Sequence, residues 1–532
     1  MNSVVRPAPA VASSRFSIRT LRAILSREWI ACAALCALWF GATAWLRPLA
    51  IPDEGRYAGV SWEMLRSGDL LVPTLNGHPF FHKPPLFYWI TAASMDVFGV
   101  SAWAARVASL LAASAAATAL FEFVRRHAGV RRARATVLVL ATLPLFYGGA
   151  QYANLDMLVA ACIAVTILLF AHAALAEAAQ RPHRLALGLA FAAAAGGVLA
   201  KGLIGAVIPA LVVLVWGAAV GRMRPTLRLL CWAPGALIFA ALAAPWFIAM
   251  QQRYPDFGHY FFVVQHLQRF ASGGFNNPQP LWFYPAVLGA TTLPWSPWAL
   301  AFASKAYWQQ REHAELRKLM LVWLAVVTLF FSAPASKLVG YILPAIPPLA
   351  FLMADAIAFF ARARRASARS GRSLHRATLV LAASGCVAIA IAAHFYQPKS
   401  LADLAVRLQA RRLPDEGVVF LGHYHYDLPF YARLEAPVLV ADPWAPAELA
   451  KDNWRSELAD AERFSAPGPA RHLLQVDELA GLLCGPRASW LVGPWPATAA
   501  TAWLAAQEPV YRQGDTALWH VAPQAGPACA TR

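Results

Sequence analysis

Hydrophobic positions in this chain fall in long, unbroken runs, with little of the alternation of a half-buried strand or the narrow stripe of a surface helix. About eleven such runs lie near 29–47, 101–124, 135–150, 155–175, 185–200, 203–219, 229–250, 282–303, 319–333, 341–360 and 377–395, each close to the roughly 17 to 25 residues that cross a bilayer as helix. Two intervening stretches are longer and different in kind. In 48–100, Tyr57, Val60, Met64 and Leu65 share one helical face and Leu86 to Phe98 is a short aromatic-rich apolar run, which predicts two helices lying on the membrane surface. The stretch 251–281 sets Arg253, His259, His266 and Arg269 among aromatics, as one wall of a cleft would. Past residue 395 the pattern changes to short apolar segments at 417–422, 436–441, 488–492 and 516–521, separated by helix-like stretches at 400–411 and 446–459. That order predicts a small α/β domain.

The predicted fold is therefore an all-α polytopic membrane protein with a long first external loop, followed by a C-terminal α/β domain. Its segments are an N-terminal arm at 1–28, a membrane domain at 29–395 and the α/β domain at 396–532. No fixed-period repeat or two-half symmetry of the kind found in transporters is visible.

Composition agrees: 59% of residues are hydrophobic and 14% charged, where a soluble domain carries about 25% charged residues. A net charge of +18 suggests nucleic acid in a soluble protein, but here its placement is one-sided. Arg6, Arg15, Arg19, Arg22 and Arg27 precede the first run, and Arg125, Arg126, Arg131, Arg132 and Arg134 follow the second. Arginines and lysines recur in every second loop after that, through Arg181 and Arg184, Arg222 to Arg228, Lys305 to Lys318 and Arg362 to Arg376. By the positive-inside rule these loops are cytoplasmic, which places the N-terminus inside and the C-terminal domain outside, and the charge is for membrane lipids rather than nucleic acid. The first run is too long for a signal-peptide core and reads as a retained anchor. Five of the seven cysteines fall inside apolar runs, where a lone thiol acts as a small apolar group. Cys484 and Cys529 lie in the tail and are candidates for a disulfide in an oxidising compartment.

The chemistry-bearing residues gather on the outer side of this topology. Ile51-Pro-Asp53-Glu54-Gly-Arg56-Tyr57 is followed by Asn76-Gly77 and by Phe81-His82-Lys83-Pro84-Pro85, so two carboxylates and two cations stand together. Asp53 at a helix start also suits plain capping. Asp156, Lys201, Lys337 and Tyr341 fall at the outer ends of their runs. Ionisable groups there are costly enough to require partners, by snorkelling, mutual pairing or a shared pocket, and one shared face with Asp53 and Lys83 favours the pocket.

The Asp53-Glu54 pair, Lys83-Pro-Pro, Asp156, Ala200-Lys201-Gly202 and the stretch from Lys337 to Pro344 resemble, in order, the bacterial aminoarabinose transferases that modify lipid A. These sit in a wider superfamily of membrane glycosyltransferases of the C-type fold that includes the protein O-mannosyltransferases. The likeness runs from 29 to about 350, with a weaker echo in Asp427-Leu-Pro-Phe-Tyr431. It implies an inverting transferase whose donor is a sugar on undecaprenyl phosphate and whose acceptor is lipid A. It further implies Asp53 as the principal catalytic carboxylate, with Glu54 and Asp156 beside it, and Arg56, Lys83, Lys201, Lys337 and Tyr341 about the donor phosphate. The chain departs from the family in having His82 where Glu commonly precedes Lys-Pro-Pro, which makes His82 and His266 candidate ligands for a divalent metal. Its membrane portion after residue 350 is also short for the family. A polyprenyl-phosphate-sugar transferase acting on another glycan, lipid or protein hydroxyl is the alternative enzyme, and a lipid-linked-sugar flippase the alternative of another class.

Overall fold

The computed structural model describes residues 28–268, 277–363, 368–396, 399–451, 453–465, 472–496, 503–504 and 507–523. Arg6 to Arg27, Arg269 and Cys529 lie outside the described residues, as do the side chains of His266 and of residues 363–372. Cys484 is disulfide-bonded.

Six helices among the described residues are long and apolar enough to cross a membrane, Ala102–Ala128, Leu155–Ala178, Arg184–Lys201, Ala233–Arg253, Val339–Arg362 and Ser373–Phe395. A seventh crossing is available if Val130–Ala141 and Pro144–Ala150, bent by 72° at their break, act together. The molecule is a polytopic membrane protein. Several of its apolar runs fold less regularly than their composition predicts. The bend after Ala141 falls where Pro144 starts a new helix, because proline can neither donate the preceding helix's hydrogen bond nor fit behind its carbonyls. The run at 282–303 divides into Phe283–Thr291 and a 3-10 stretch Ser296–Ala303 on either side of Pro294. The runs at 29–47 and 203–219 give apolar helices of 14 and 16 residues, Glu28–Gly41 and Ile204–Ala219.

Sharp caps fix two helix starts that matter for the site. Ser101 accepts from the Ala104 amide at the head of Ala102–Ala128, and Asn154 accepts from the Asp156 amide at the head of Leu155–Ala178, each satisfying a donor the helix cannot. Large apolar side chains such as Leu237, Leu329 and Val380 stay exposed, which suits contact with lipid rather than water.

The first loop folds as predicted into two helices, Asp53–Ser67 and Leu86–Phe98. Tyr57, Val60 and Met64 are buried. Between the helices is a hairpin of β1 (Thr74–Leu75) and β2 (His78–Pro79), turned by Asn76 and Gly77 at φ 53° and 78°. Both residues of such a tight turn need positive φ, and Asn-Gly is the pair that adopts it most readily. Glu63 holds the turn by accepting from Thr74 Oγ1 and the Asn76 and Gly77 amides at 2.7–2.9 Å.

The C-terminal region forms a six-stranded mixed sheet in the order β5-β4-β3-β6-β8-β7. Its strands are β3 (Gly417–Leu421), β4 (Leu439–Ala441), β5 (Leu473–Leu474), β6 (Ser489–Pro494), β7 (Tyr511–Gln513) and β8 (Thr516–Val521). β4 and β6 flank β3 in parallel, β5 continues beyond β4, and β7 and β8 run antiparallel. Successive side chains leave opposite faces of a strand. Accordingly Val418, Phe420, Trp490 and Val492 join the same core as the membrane helices, while Val419, Leu421, Leu491 and Trp519 build a second, smaller core on the outer face. The sheet is thus packed down onto the first loop and shares its core.

Candidate active site

Asp53 is the first residue of its helix and caps nothing: Pro52 holds the N-cap position and no side chain caps the end. Its carboxylate is 36% exposed, with Arg56 Nη1 3.2 Å from Oδ1. Burial raises its pKa above the ordinary carboxylate value, Arg56 and Lys201 pull it back, and Asp156 and Glu54 push it up. Asp156 and Lys201, far off in sequence, are therefore within electrostatic reach of Asp53.

Those two form an ion pair, Lys201 Nζ to Asp156 Oδ1. Lys201 closes the helix Arg184–Lys201, and its ammonium sits 4.2 Å over the Tyr341 ring. The neighbouring Gly340 is demanded by this contact, since a Cβ there would lie 2.4 Å from Asp156 Oδ2. Asp53, Arg56, Asp156, Lys201 and Tyr341 are thus brought to one place from four separate segments.

Glu54 is placed differently from its neighbour. It is fully buried and surrounded by donors. Arg106 binds it with Nε at 2.8 Å and Nη2 at 2.9 Å, Arg47 pairs with it, and the Ala50 and Ala153 amides donate at 2.8 and 2.7 Å. Burial pushes its pKa up, but Arg106 and Arg47 overcome that and hold it at about 2. Such a saturated carboxylate has no free lone pair for a substrate, so Glu54 does not share the open position expected of it beside Asp53. It joins the first loop to the helix Ala102–Ala128 and to the loop ahead of Leu155. Lys337 has a partner of its own. It is 3% exposed, and its Nζ donates to the backbone carbonyl of Gln279 at 2.7 Å, fastening the end of the 277–279 segment.

Lys83 is half-buried in the turn ahead of Pro84 and Pro85, and Pro85 leads into the helix Leu86–Phe98. The adjoining Phe81 packs on Tyr254 and Phe257 at ring distances of 4.6 and 5.7 Å, and His82 lies 6.0 Å from Tyr260. Tyr254, Phe257 and Tyr260 thus pack beside the lysine turn. Among the described residues no three His, Cys, Asp or Glu side chains come together to hold a metal ion. The proposed His82 and His266 pair involves a side chain outside the described residues.

Sequence reading missed the roof. Glu457 Oε2 lies 3.0 Å from Arg56 Nε, Tyr426 donates its hydroxyl to the same carboxylate, and the Arg56 guanidinium is 4.9 Å over the Tyr426 ring. Gly55 makes room for this: a Cβ would meet Tyr426 Cβ at 3.0 Å and the Asp427 amide at 3.1 Å. Tyr431, four residues on, accepts from the Leu49 amide at 2.7 Å. The Asp427–Tyr431 string is the only hint the sequence gave that the tail meets the loop.

The chain has relatives among known proteins in both sequence and fold. The family model described as dolichyl-phosphate-mannose-protein mannosyltransferase matches residues 82–248. The undecaprenyl phosphate-alpha-4-amino-4-deoxy-L-arabinose arabinosyl transferase of Aeromonas hydrophila is 37% identical over 311 residues, 58% of this chain and 56% of that one. Its namesake in Pectobacterium carotovorum is 35% identical over 362 residues, 65% of this chain and 63% of the relative. The crystal structure of ArnT from Cupriavidus metallidurans bound to undecaprenyl phosphate superposes with a TM-score of 0.76 at 24% identity, covering 93% of this chain and 98% of that one. The chain is aminoarabinose transferase-like in sequence and in fold. The sequence match spans somewhat more than half the length of these curated relatives, whereas the fold match covers 93% of this chain. The archaeal oligosaccharyltransferase AglB from Archaeoglobus fulgidus matches more distantly, with a TM-score of 0.53.

Proposed function

We propose that this protein is an inverting glycosyltransferase that takes a sugar, aminoarabinose foremost, from undecaprenyl phosphate and places it on lipid A. The observation that carries the reading is the half-open Asp53 carboxylate, tethered by Arg56 and within electrostatic reach of the Asp156–Lys201–Tyr341 cluster. An acceptor oxygen attacks the anomeric carbon as the bond to the phosphate oxygen breaks. The phosphate departs with the bonding pair, and the configuration inverts. Its charge grows from one towards two, so fixed cations favour the transition state over the ground state. One cation at 4 Å in a medium of effective dielectric near 20 contributes about 4 kcal/mol per unit charge before desolvation. In this reading Lys201, Lys83 and Arg56 face the departing phosphate, Asp156 and Tyr341 aim Lys201, and Glu54 positions the loop. A phosphate acceptor arrives as an anion and has no proton to lose. A hydroxyl acceptor gives its proton to Asp53, and the exposure of that carboxylate supports a hydroxyl on another glycan, lipid or protein as the second reading.

The accompanying membrane placement counts about eleven crossings, including the shorter apolar helices and the broken 282–303 pair, in a bacterial inner membrane. The N-terminus is cytoplasmic, and the active site and C-terminal domain are periplasmic. Mass spectrometry of lipid A from cells with and without the chain tests donor and acceptor together. Aminoarabinose on lipid A only in the producing cells is expected, and unmodified lipid A in both overturns the assignment of lipid A as acceptor.

A further inference from the structure

The C-terminal sheet changes direction at β3. From there the chain winds outward to β4 and β5, then returns to lay β6 on the other side of β3. In open α/β sheets the crevice beyond the carboxyl ends of the strands, at such a reversal, is where ligands bind. A cavity of about 850 Å³ lies here, within the roughly 300–1,000 Å³ of small-molecule sites. Leu421 and Pro494, the last residues of β3 and β6, line it, and Ile51 of the first loop contributes to its wall.

Its polar groups come from separate segments. His423 and His425 follow β3, Lys399 lies on the chain entering the sheet, and Asp515 lies in the turn between β7 and β8. His425 is 9% exposed, and its Nε2 has no hydrogen-bond partner. That nitrogen is itself enclosed, so His425 shapes the wall, and the polar groups the cavity offers a ligand are those of Lys399, Asp515 and Thr516. Lys399 and Asp515 both act on His423, in opposite senses, so the cavity presents a cation and a carboxylate together. Arg455 is also close, but Asp442 holds it with bonds of 2.7 and 2.9 Å, which leaves Lys399 as the lining cation. Val476 and Leu479 supply apolar wall suited to the C–H face of a sugar ring.

We propose that this cavity is a second ligand site, separate from Asp53, that takes a phosphorylated amino sugar. Lys399 meets the phosphate, Asp515 the ammonium, and the Thr516 hydroxyl, 3.3 Å from Asp515 Oδ1, a ring hydroxyl. The ligand is either a free sugar phosphate or the headgroup of a lipid that carries one.

Calorimetric titration of the purified full chain with glucosamine 1-phosphate tests the site without any transfer step, so its outcome is independent of the proposed reaction. Saturable one-to-one binding is expected. Lys399→Ala should weaken it at least tenfold while leaving binding of glucosamine itself unchanged, and Asp515→Asn should weaken both ligands. Vesicles of phosphatidylcholine with and without lipid A separate the two sources. A lipid headgroup is indicated if lipid A vesicles bind and glucosamine 1-phosphate competes, and a free sugar phosphate if only the soluble ligand binds. Failure of the native chain to bind glucosamine 1-phosphate saturably, or equal affinity in native protein and folded Lys399→Ala and Asp515→Asn variants, overturns the proposal.

Discussion

Arg56 Nε lies 3.0 Å from Glu457 Oε2, so a residue of the first loop and one of the C-terminal region form a single ion pair above Asp53. The other end of the guanidinium meets Asp53 itself. The sheet therefore helps to aim the carboxylate at which the chemistry is proposed. Glu457→Gln is expected to leave the fold intact and lower kcat/KM roughly tenfold, a loss of about 1.4 kcal/mol in transition-state stabilisation. Steady-state kinetics with the lipid-linked donor checks this, and an unchanged kcat/KM would show that the contact does not position Asp53.

Asp53→Asn removes charge at nearly constant shape. Transfer should fall about 10²- to 10⁴-fold if the carboxylate is a base, with melting temperature little changed. Burial raises the Asp53 pKa, so acidification protonates it at a higher pH than an ordinary carboxylate. Activity that needs the charged form should fall there as pH drops. Single-turnover transfer across about pH 4.5 to 8 distinguishes the acceptors. A hydroxyl acceptor gives that carboxylate-like loss, whereas a phosphate monoester follows its own second ionisation near pH 6, and the lipid A reading predicts the latter.

Glu54→Gln should act on stability before activity. The substitution leaves Arg106, itself fully buried, with an uncompensated charge, a change that typically costs about 3–5 kcal/mol. A large drop in thermal stability, or no recoverable folded protein, is expected. A well-folded variant with selectively lost turnover would restore Glu54 to the chemical role suggested by its place beside Asp53.

Gly340→Ala puts a methyl group where Asp156 Oδ2 stands, and the carboxylate must swing away from Lys201. Donor affinity should fall about tenfold or more while the protein remains folded, because Lys201 loses the partner that aims it. Binding of undecaprenyl phosphate to purified variant and native protein measures this directly, and equal affinities would remove Asp156 from the donor site.

Cysteines introduced at the exposed positions Asp96 and Asp415 should react with an impermeant thiol reagent in intact spheroplasts, and one at Arg131 should not. A background with Cys231, exposed in the native chain, changed to Ser keeps the readout clean. The reverse pattern would put Asp53 in the cytoplasm and end the periplasmic reading.

Much of this molecule follows from local sequence. Runs of apolar residues specify helices through burial in lipid, the Asn76-Gly77 turn needs only its own two backbones, and the strands at 417–421 and 516–521 show in their β-branched and aromatic residues. The two-residue β5 and three-residue β7 are too short to leave such a pattern, and pairing with neighbours alone defines them. The string at 51–57 marked Asp53, Glu54 and Arg56 together, yet adjacency in sequence could not divide their roles. Along the helix Asp53–Ser67, successive side chains turn through about 100°, so Asp53 stays half-open while Glu54 is driven into Arg106 and Arg47. Lys337 reads from the sequence as a member of the cluster because it starts an apolar run, and only the fold reveals that its ammonium donates to the Gln279 carbonyl. The meeting of Arg56 with Glu457 joins residues some four hundred positions apart. Only the packing of the sheet onto Gly55, a contact fixed by the shapes of both surfaces, decides that meeting.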